Sequence, residues 1–541
     1  MKKFTTITAF FLAAVLLLTF GCPVRAEGDK EPFEITVQYG SEPLSIDPNA
    51  EIGNDVITMN CHMWESLYKR GEGNKLEPGM AESVDISDDK MTYTFHLRDG
   101  IKWSDGEPVT AKQFEYSWKR LVTGGYDYSS FLDNVVNALD IRTKGADVDT
   151  LGIEAPDDKT FIVHLTSPIP YFLEICAYGV TVPMRQDIIE KHGDDWSLSP
   201  ETFISNGTYK LDEWVNQEKL VMVKNPEYYE KDKIGPDKIT WLFMDDDNAS
   251  LAAFESGTVM FTSHFPSEEI QRLKDAGFFQ TQPQIGTYYL QIESGEKGVP
   301  ELQNPKVRRA LSLSIDRKYI VENITKGGEI PADGYLPYGF TDSKGDNYKK
   351  NSKLWWDLDD YEASKEEAKK LMAEAGFPDG KGFPVIRYMI NNGTNHQAIA
   401  EYIQDCWKNV LGVNASIEAQ EWGVFLDTRA HGDYQLARAG WTVDFHDPDG
   451  LMNLFVSHDG NNDSHWSNAD YDKLIGESKV EPDPDKRLEL FHQAEDIMME
   501  QGACIPLYYY VDKYLLDTTK YEGFFSDVDG SHFQYLRKIE K

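Results

Sequence analysis

The stretch from Met91 to Arg120, MTYTFHLRDGIKWSDGEPVTAKQFEYSWKR, decides the fold class. Met91 to Leu97 alternates apolar and polar residues, the pattern of a half-buried strand. Arg98-Asp99-Gly100 then reads as a hairpin turn into Ile101–Trp103, and Ser104-Asp105-Gly106 as a second tight turn. From Thr110 to Arg120 the sequence TAKQFEYSWKR reads as a helix with Thr110 at its N-cap. Strand, turns and helix in one short run point to a mixed α/β chain.

The same mixture continues on both sides. Ile35 to Tyr39 (ITVQY) alternates as a strand, and Gly40 to Asn49 is turn-rich. Phe161 to Leu165 and Leu220 to Val223 are further strands, the latter stopped by Asn225-Pro226. Ser364 to Gly376 reads as a helix. Ser364 and Glu367 form its capping box, and Ala368, Leu371, Met372 and Ala375 recur on one face. Gly376 ends it and Pro378 follows. Val385 to Ile390 is a strand, and His396 to Val410 the helix after it. No period of 20–50 residues recurs, so the chain is not a repeat protein.

A length of 541 residues is too great for one ordinary core and implies two or three domains. The formal charge of −37, from 91 acidic and 54 basic residues, repels nucleic acid and anionic membrane surfaces. Lys2 and Lys3 precede an apolar run from about Ala9 to Phe20, the pattern of a secretory signal peptide over residues 1–26. Two processing routes remain open. Gly21-Cys22 suggests a lipid anchor on Cys22, although Thr19-Phe20 departs from the usual lipobox. Val24-Arg25-Ala26 offers cleavage after Ala26 instead. Cys61, Cys176, Cys406 and Cys504 are widely spaced and form no zinc knuckle. Their expected state is four buried thiols, with disulfides permitted in an exported chain.

Catalytic signatures do not emerge. The sequence has no GxxxxGK[ST] loop, no GxSxG elbow and no HExxH. Its twelve histidines are scattered without metal-like spacing. The run Asp444-Phe445-His446-Asp447-Pro448-Asp449-Gly450 concentrates three acids and a histidine, but it lacks the alternate oxygen ligands and distal glutamate of a Ca²⁺ loop. It reads as a Pro/Gly turn with solvated acids. No cofactor or metal is expected.

Several blocks, in order, resemble the peptide/nickel class of extracellular solute-binding proteins, family 5. They are Ala81-Glu82-Ser83, Tyr93 to Arg98, Lys102-Trp103-Ser104-Asp105-Gly106, Val109-Thr110-Ala111 and Phe114 to Trp118. Ser205-Asn206-Gly207-Thr208-Tyr209 resembles the family's NGxY turn. Val307-Arg308-Arg309-Ala310 with Ser314-Ile315-Asp316-Arg317 resembles its VRxAL…DR helix. Ala437-Arg438-Ala439-Gly440-Trp441 and Pro506 to Tyr510 are similar to the oligopeptide-binding branch. The resemblance runs from about Val37 to Arg537.

The resemblance implies a two-lobed, periplasmic-binding-protein-like α/β fold of three domains, with ligand enclosed between the lobes. Domain I would comprise 27–64, 189–285 and 512–541, domain II 65–188, and domain III 286–511. It implies a monomeric, non-enzymatic receptor of an ABC importer, exported to the periplasm or the outer face of the cytoplasmic membrane. Such a receptor captures short oligopeptides and delivers them to permease subunits. Dipeptides, murein peptide or a metal complex are the alternatives within the fold, and an enzyme or chaperone-like peptide holder is the alternative outside it.

By the same match, Asp444 would hold the ligand's α-ammonium, and Gly440 and Thr442 would offer backbone groups. Arg438, Arg429 and His396 would meet carboxylates at graded depths. Trp441, Trp422, Tyr116 and Tyr510 would line side-chain pockets. Thr442 stands where some members of the branch carry a disulfide-bonded cysteine, so that bridge is ruled out here.

Overall fold

The computed structural model of the protein describes residues 31–540, apart from 39, 41, 51, 52, 73, 74, 245, 342–346 and 444 and the side chains of residues 54 and 394. The signal segment 1–26, Cys22 and Asp444 therefore lie outside the described residues.

The alternating stretch forms the strand Thr92–Leu97, with Tyr93, Phe95 and Leu97 buried. Ala81–Ile86 pairs with one edge and Thr160–His164 with the other, both antiparallel. Ile153–Glu154 completes this four-stranded sheet. With both edges taken, Ile101–Trp103 cannot fold back on the strand, and the expected hairpin at Arg98-Asp99-Gly100 does not form. The second turn closes instead. Gly106 N donates to Trp103 O, and a lone bridge joins Lys102 to Pro108.

The helix Ala111–Thr123 begins as expected at a Thr110 capping box, where Thr110 N donates to Gln113 Oε1 at 2.8 Å. It buries Phe114, Trp118 and Leu121 against the sheet. A second helix start differs from expectation. The helix Tyr361–Glu374 is capped by Asp360, whose Oδ1 accepts from Ala363 N at 2.9 Å. Asp360 is the first residue able to satisfy the free amides, so Ser364 falls inside the first turn and bonds back to Asp360 O.

A single sheet of eleven strands runs through the molecule. One end consists of Glu34–Gln38, parallel to Lys238–Leu242 and Phe261–Thr262, with Lys219–Lys224 and Tyr209–Val215 beyond. The other end is Ile386–Asn391 parallel to Ala415–Gln420 and to Leu436–Thr442. The two long antiparallel strands Phe279–Ile292 and Cys504–Leu516 join these ends. Their pairing is interrupted between Pro283 and Thr287, where four steps on one strand face two on the other.

The cores divide on either side of that interruption. One cluster packs Ile35, Trp64, Phe95, Trp118 and Trp241 with Phe533 and Leu536 from the C-terminus. Two others, around Tyr288, Ile403 and Trp407 and around Tyr335, Phe455 and Phe491, lie on opposite faces of the far part of the sheet. The result is two lobes sharing crossing strands. The cysteines Cys61, Cys176, Cys406 and Cys504 are free thiols. Among the described residues no helix is long and apolar enough to cross a membrane.

The NGxY turn fastens the first lobe. Asn206 exchanges hydrogen bonds with both backbone groups of Glu65, and Gly207 N donates to Met63 O at 2.8 Å. A Cβ on Gly207 would stand 2.4 Å from Met63 C and 2.5 Å from Trp64 N, both backbone atoms. Gly207→Ala is therefore expected to cost about 1–3 kcal/mol, as overpacking against an immovable neighbour does. Urea unfolding checks this. A lowered midpoint at unchanged slope is expected, and an unchanged midpoint contradicts the close approach.

Candidate ligand-binding site

The strand Leu436–Thr442 lies between Ile386–Asn391 and the crossing strand Phe279–Ile292. Its register sets Arg438 opposite Leu290, Gly440 opposite Tyr288 and Thr442 opposite Gly286. Alternation puts these three residues on one face of the sheet and Ala439 and Trp441 on the other.

Arg438 sits among aromatic rings on its face. Its guanidinium carbon is 5.2 Å from the Tyr288 ring centre and 5.8 Å from that of Trp422. Tyr288 stacks on Tyr508 at 4.7 Å and meets Tyr510 edge-on at 6.4 Å. Gly440 makes room for this cluster, because a Cβ there would lie 2.1 Å from the Tyr510 hydroxyl. Buried Arg438 Nε has no hydrogen-bond partner. Among the described residues no carboxylate lies within ion-pair distance of Arg438. A half-buried guanidinium in an aromatic wall, with no carboxylate near it among the described residues, has the chemistry to take an anion.

His396, at the start of the helix Thr394–Cys406, belongs to the same cluster. Its Nδ1 is 3.0 Å from Tyr288 Oη, and the two rings stack at 5.7 Å. Burial, and then the neighbouring Arg438 guanidinium, push its pKa down to about 4. In this ligand-free arrangement it is thus neutral at ordinary pH, within hydrogen-bonding distance of the tyrosine hydroxyl.

Arg429 is placed differently. It lies on the helix Trp422–Ala430, where Trp422 stacks on Phe425 at 5.8 Å and Arg429 lies 5.7 Å from the Phe425 ring centre. Its Nε donates to Asp463 Oδ2 at 2.6 Å.

The remaining expected residues divide between the lobes. Trp441 faces away from Arg438 and packs against the cluster of Tyr289, Tyr335 and Phe455. Thr442 is exposed and lines a cavity between the lobes. Tyr116 is on the helix Ala111–Thr123 in the other lobe, half-buried against that lobe's core. The cluster's Tyr288 and Tyr508 had not been singled out from sequence. They pair with each other across the two crossing strands, in runs buried on both faces that show no alternation in sequence.

Two cavities separate the lobes. One of about 200 Å³ lies over the crossing strands, with Thr58, Tyr128 and Tyr178 on one side and Thr442, Val443 and His446 on the other. A larger one of about 740 Å³ opens between Pro168–Glu174 and a wall containing Phe340, Asp447 and Arg487. The lobes touch where Tyr171 stacks on Phe445 at 4.5 Å and its hydroxyl donates to Asp449 Oδ2 at 3.3 Å. Asp447 is paired with Arg487 by two hydrogen bonds.

Two lobes on shared crossing strands with cavities between them are the architecture of a solute-binding protein. Residues 75–463 match the model of bacterial extracellular solute-binding proteins, family 5 Middle, and the chain belongs to that family. It is 32% identical to the oligopeptide-binding protein OppA of Bacillus subtilis over 536 residues, 96% of each chain. It superposes on the unliganded open form of the periplasmic murein tripeptide-binding protein MppA with a TM-score of 0.82 and 30% identity, covering 95% of this chain and 98% of that one. The Haemophilus influenzae OppA complex with the peptide RPPGFSPFR gives 0.71, also at 30% identity, with 94% and 100% covered.

The neutral state of His396 is directly measurable. In the ligand-free protein its ring should titrate near pH 4, well below the ordinary histidine value, in an NMR series assigned with His396→Gln. A midpoint at 6 or above would contradict the burial argument and restore His396 as a cation.

Proposed function

We propose that this protein is a non-catalytic receptor that captures short oligopeptides and hands them to the permease subunits of an ABC importer. The observation that carries the reading is Arg438, a half-buried cation without a carboxylate partner among the described residues, on the strand whose Thr442 end lines the cavity between the lobes. A peptide carries the missing carboxylate at one end, and its ammonium at the other end requires an acid. Asp444, six residues along the same segment, is the acid assigned to that role.

Between the two ends, Gly440 and Thr442 offer backbone groups to an extended chain, as in strand addition. Tyr510, Trp422 and Tyr116 supply side-chain contacts, and Trp441 supports the strand from its opposite face. The relatives' names include binding of oligopeptides and of murein tripeptide, both with charged termini, which supports the same ligand class.

In this reading the domains are 27–64, 189–285 and 512–541 (I), 65–188 (II) and 286–511 (III). Domains I and II share the first core and domain III holds the other two. Closure rotates domain III about the crossing strands, and ligand selects the closed state. The receptor works as a monomer at the outer face of the cytoplasmic membrane or in the periplasm, and Cys22 is its lipid anchor if the signal segment is processed there.

A ligand enclosed by both lobes stabilises the folded state by RT ln(1 + [L]/Kd), about 2.7 kcal/mol at a hundredfold excess over Kd. Tri- to pentapeptides should therefore raise the melting temperature of ligand-stripped protein, and free amino acids at equal concentration should not. Equal effects of both classes, or none from either, would overturn the peptide assignment.

A further inference from the structure

We propose that the cavity of about 740 Å³ is a second compartment of the cleft between the lobes, which takes apolar side chains of a bound peptide and disfavours acidic ones. This rests on the peptide reading and deepens it. In this arrangement the inner cavity over the crossing strands, about 200 Å³, is smaller than the roughly 300 Å³ at which pockets for whole ligands begin. A tri- to pentapeptide therefore cannot lie in it alone. His446 lines both cavities, so they are neighbouring compartments of one cleft, and the larger falls within the range of ligand sites.

Both walls of the larger compartment are apolar. The first lobe contributes Ile86 and Leu173, and the second Phe340, Val480 and Leu488. Ile86 and Val480, from opposite lobes, are left 37% and 51% exposed. An apolar side chain lodged between the walls takes water off both of them, and that is the driving force for its entry. Tyr171, on the first wall, stacks on Phe445 of the other lobe at 4.5 Å and so ties the walls together at this spacing. The charges of the lining set the second preference. Arg487 is occupied by Asp447, and Glu174 by Arg70. His446 Nε2 lies 3.0 Å from Gly339 O. The other charged groups of the lining are Asp88, Asp89 and Glu481 against Lys90. An acidic side chain entering here meets a surplus of its own sign, and a basic one meets the opposite.

The test is a position scan. Isothermal titration of ligand-stripped protein would use alanine-based pentapeptides that carry Leu, Ser, Lys or Glu at one position at a time. In the wild type, at one or two adjacent positions, Leu should bind roughly tenfold or more tighter than Ser, and Glu more weakly than Lys. Val480→Arg sets a cation on one wall and Ile86→Arg on the other. Both residues are exposed, so neither change removes a core contact. Each variant should abolish the Leu preference at those positions and strengthen Glu there relative to wild type. A scan without a position that shows both preferences overturns the inference while the peptide reading stands. So does a preference that either variant leaves intact, or a loss equal at every position. Failure of every peptide to bind the wild type overturns the reading and the inference together.

Discussion

The antiparallel pairing of Phe279–Ile292 with Cys504–Leu516 is the constraint on which the molecule depends. These strands belong to both lobes, so neither lobe can drift, yet their ladder is broken between Pro283 and Thr287. Backbone hydrogen bonds give stiffness along a ladder, and an interruption is where a sheet bends most readily. The cores separate at this place, with Phe279 and Leu515 packed on one side and Tyr288 and Tyr508 on the other. The same strands also carry Tyr288, Tyr508 and Tyr510, so in the proposed reading the element that bends also holds the aromatic cluster around Arg438.

Electrostatics sets Arg438 apart from the other arginines. In a chain of net charge −37, an arginine would ordinarily find an acid. Most described arginines do: Arg120 pairs with Asp47, Arg429 with Asp463 and Arg487 with Asp447. Arg317 is an exception with a structural role, buried under Trp356 and spending its donors on Pro506 O, Ser312 and Ile315 O. Arg438 is different again, surrounded by π-faces that tolerate a cation without neutralising it. Gly440 and His396 arrange those rings, the first by its missing side chain and the second by an uncharged ring nitrogen near Tyr288 Oη.

Much of this was legible in the sequence, for definite reasons. The strand at Thr92–Leu97 and the helix from Thr110 are specified by alternation and by a local cap, and both formed where expected. The hairpin at Arg98-Asp99-Gly100 failed because strand pairing is decided by partners distant in sequence, Ala81–Ile86 and Thr160–His164, which turn chemistry cannot reveal. The start at Ser364 failed because two residues could cap and the earlier one prevailed. For the site, the ARAGW segment marked the correct strand, but a one-letter motif does not state which face each residue takes. Trp441, expected beside Trp422 and Tyr510 as pocket lining, is turned by the strand to the opposite face. Arg429 and Arg438 were both expected to meet ligand carboxylates, and only the fold brings Asp463, 34 residues on, into a pair with Arg429.

The central claim, that the cleft holds short peptides as a class and not one fixed compound, is tested most directly by the ligand retained when the protein is purified without denaturation. Native mass spectrometry of the complex, followed by release and sequencing, identifies it. The account predicts a ladder of peptides of varied sequence and narrow length, each with free termini, and apoprotein after stripping. A single uniform small molecule, or species with blocked termini, would contradict it.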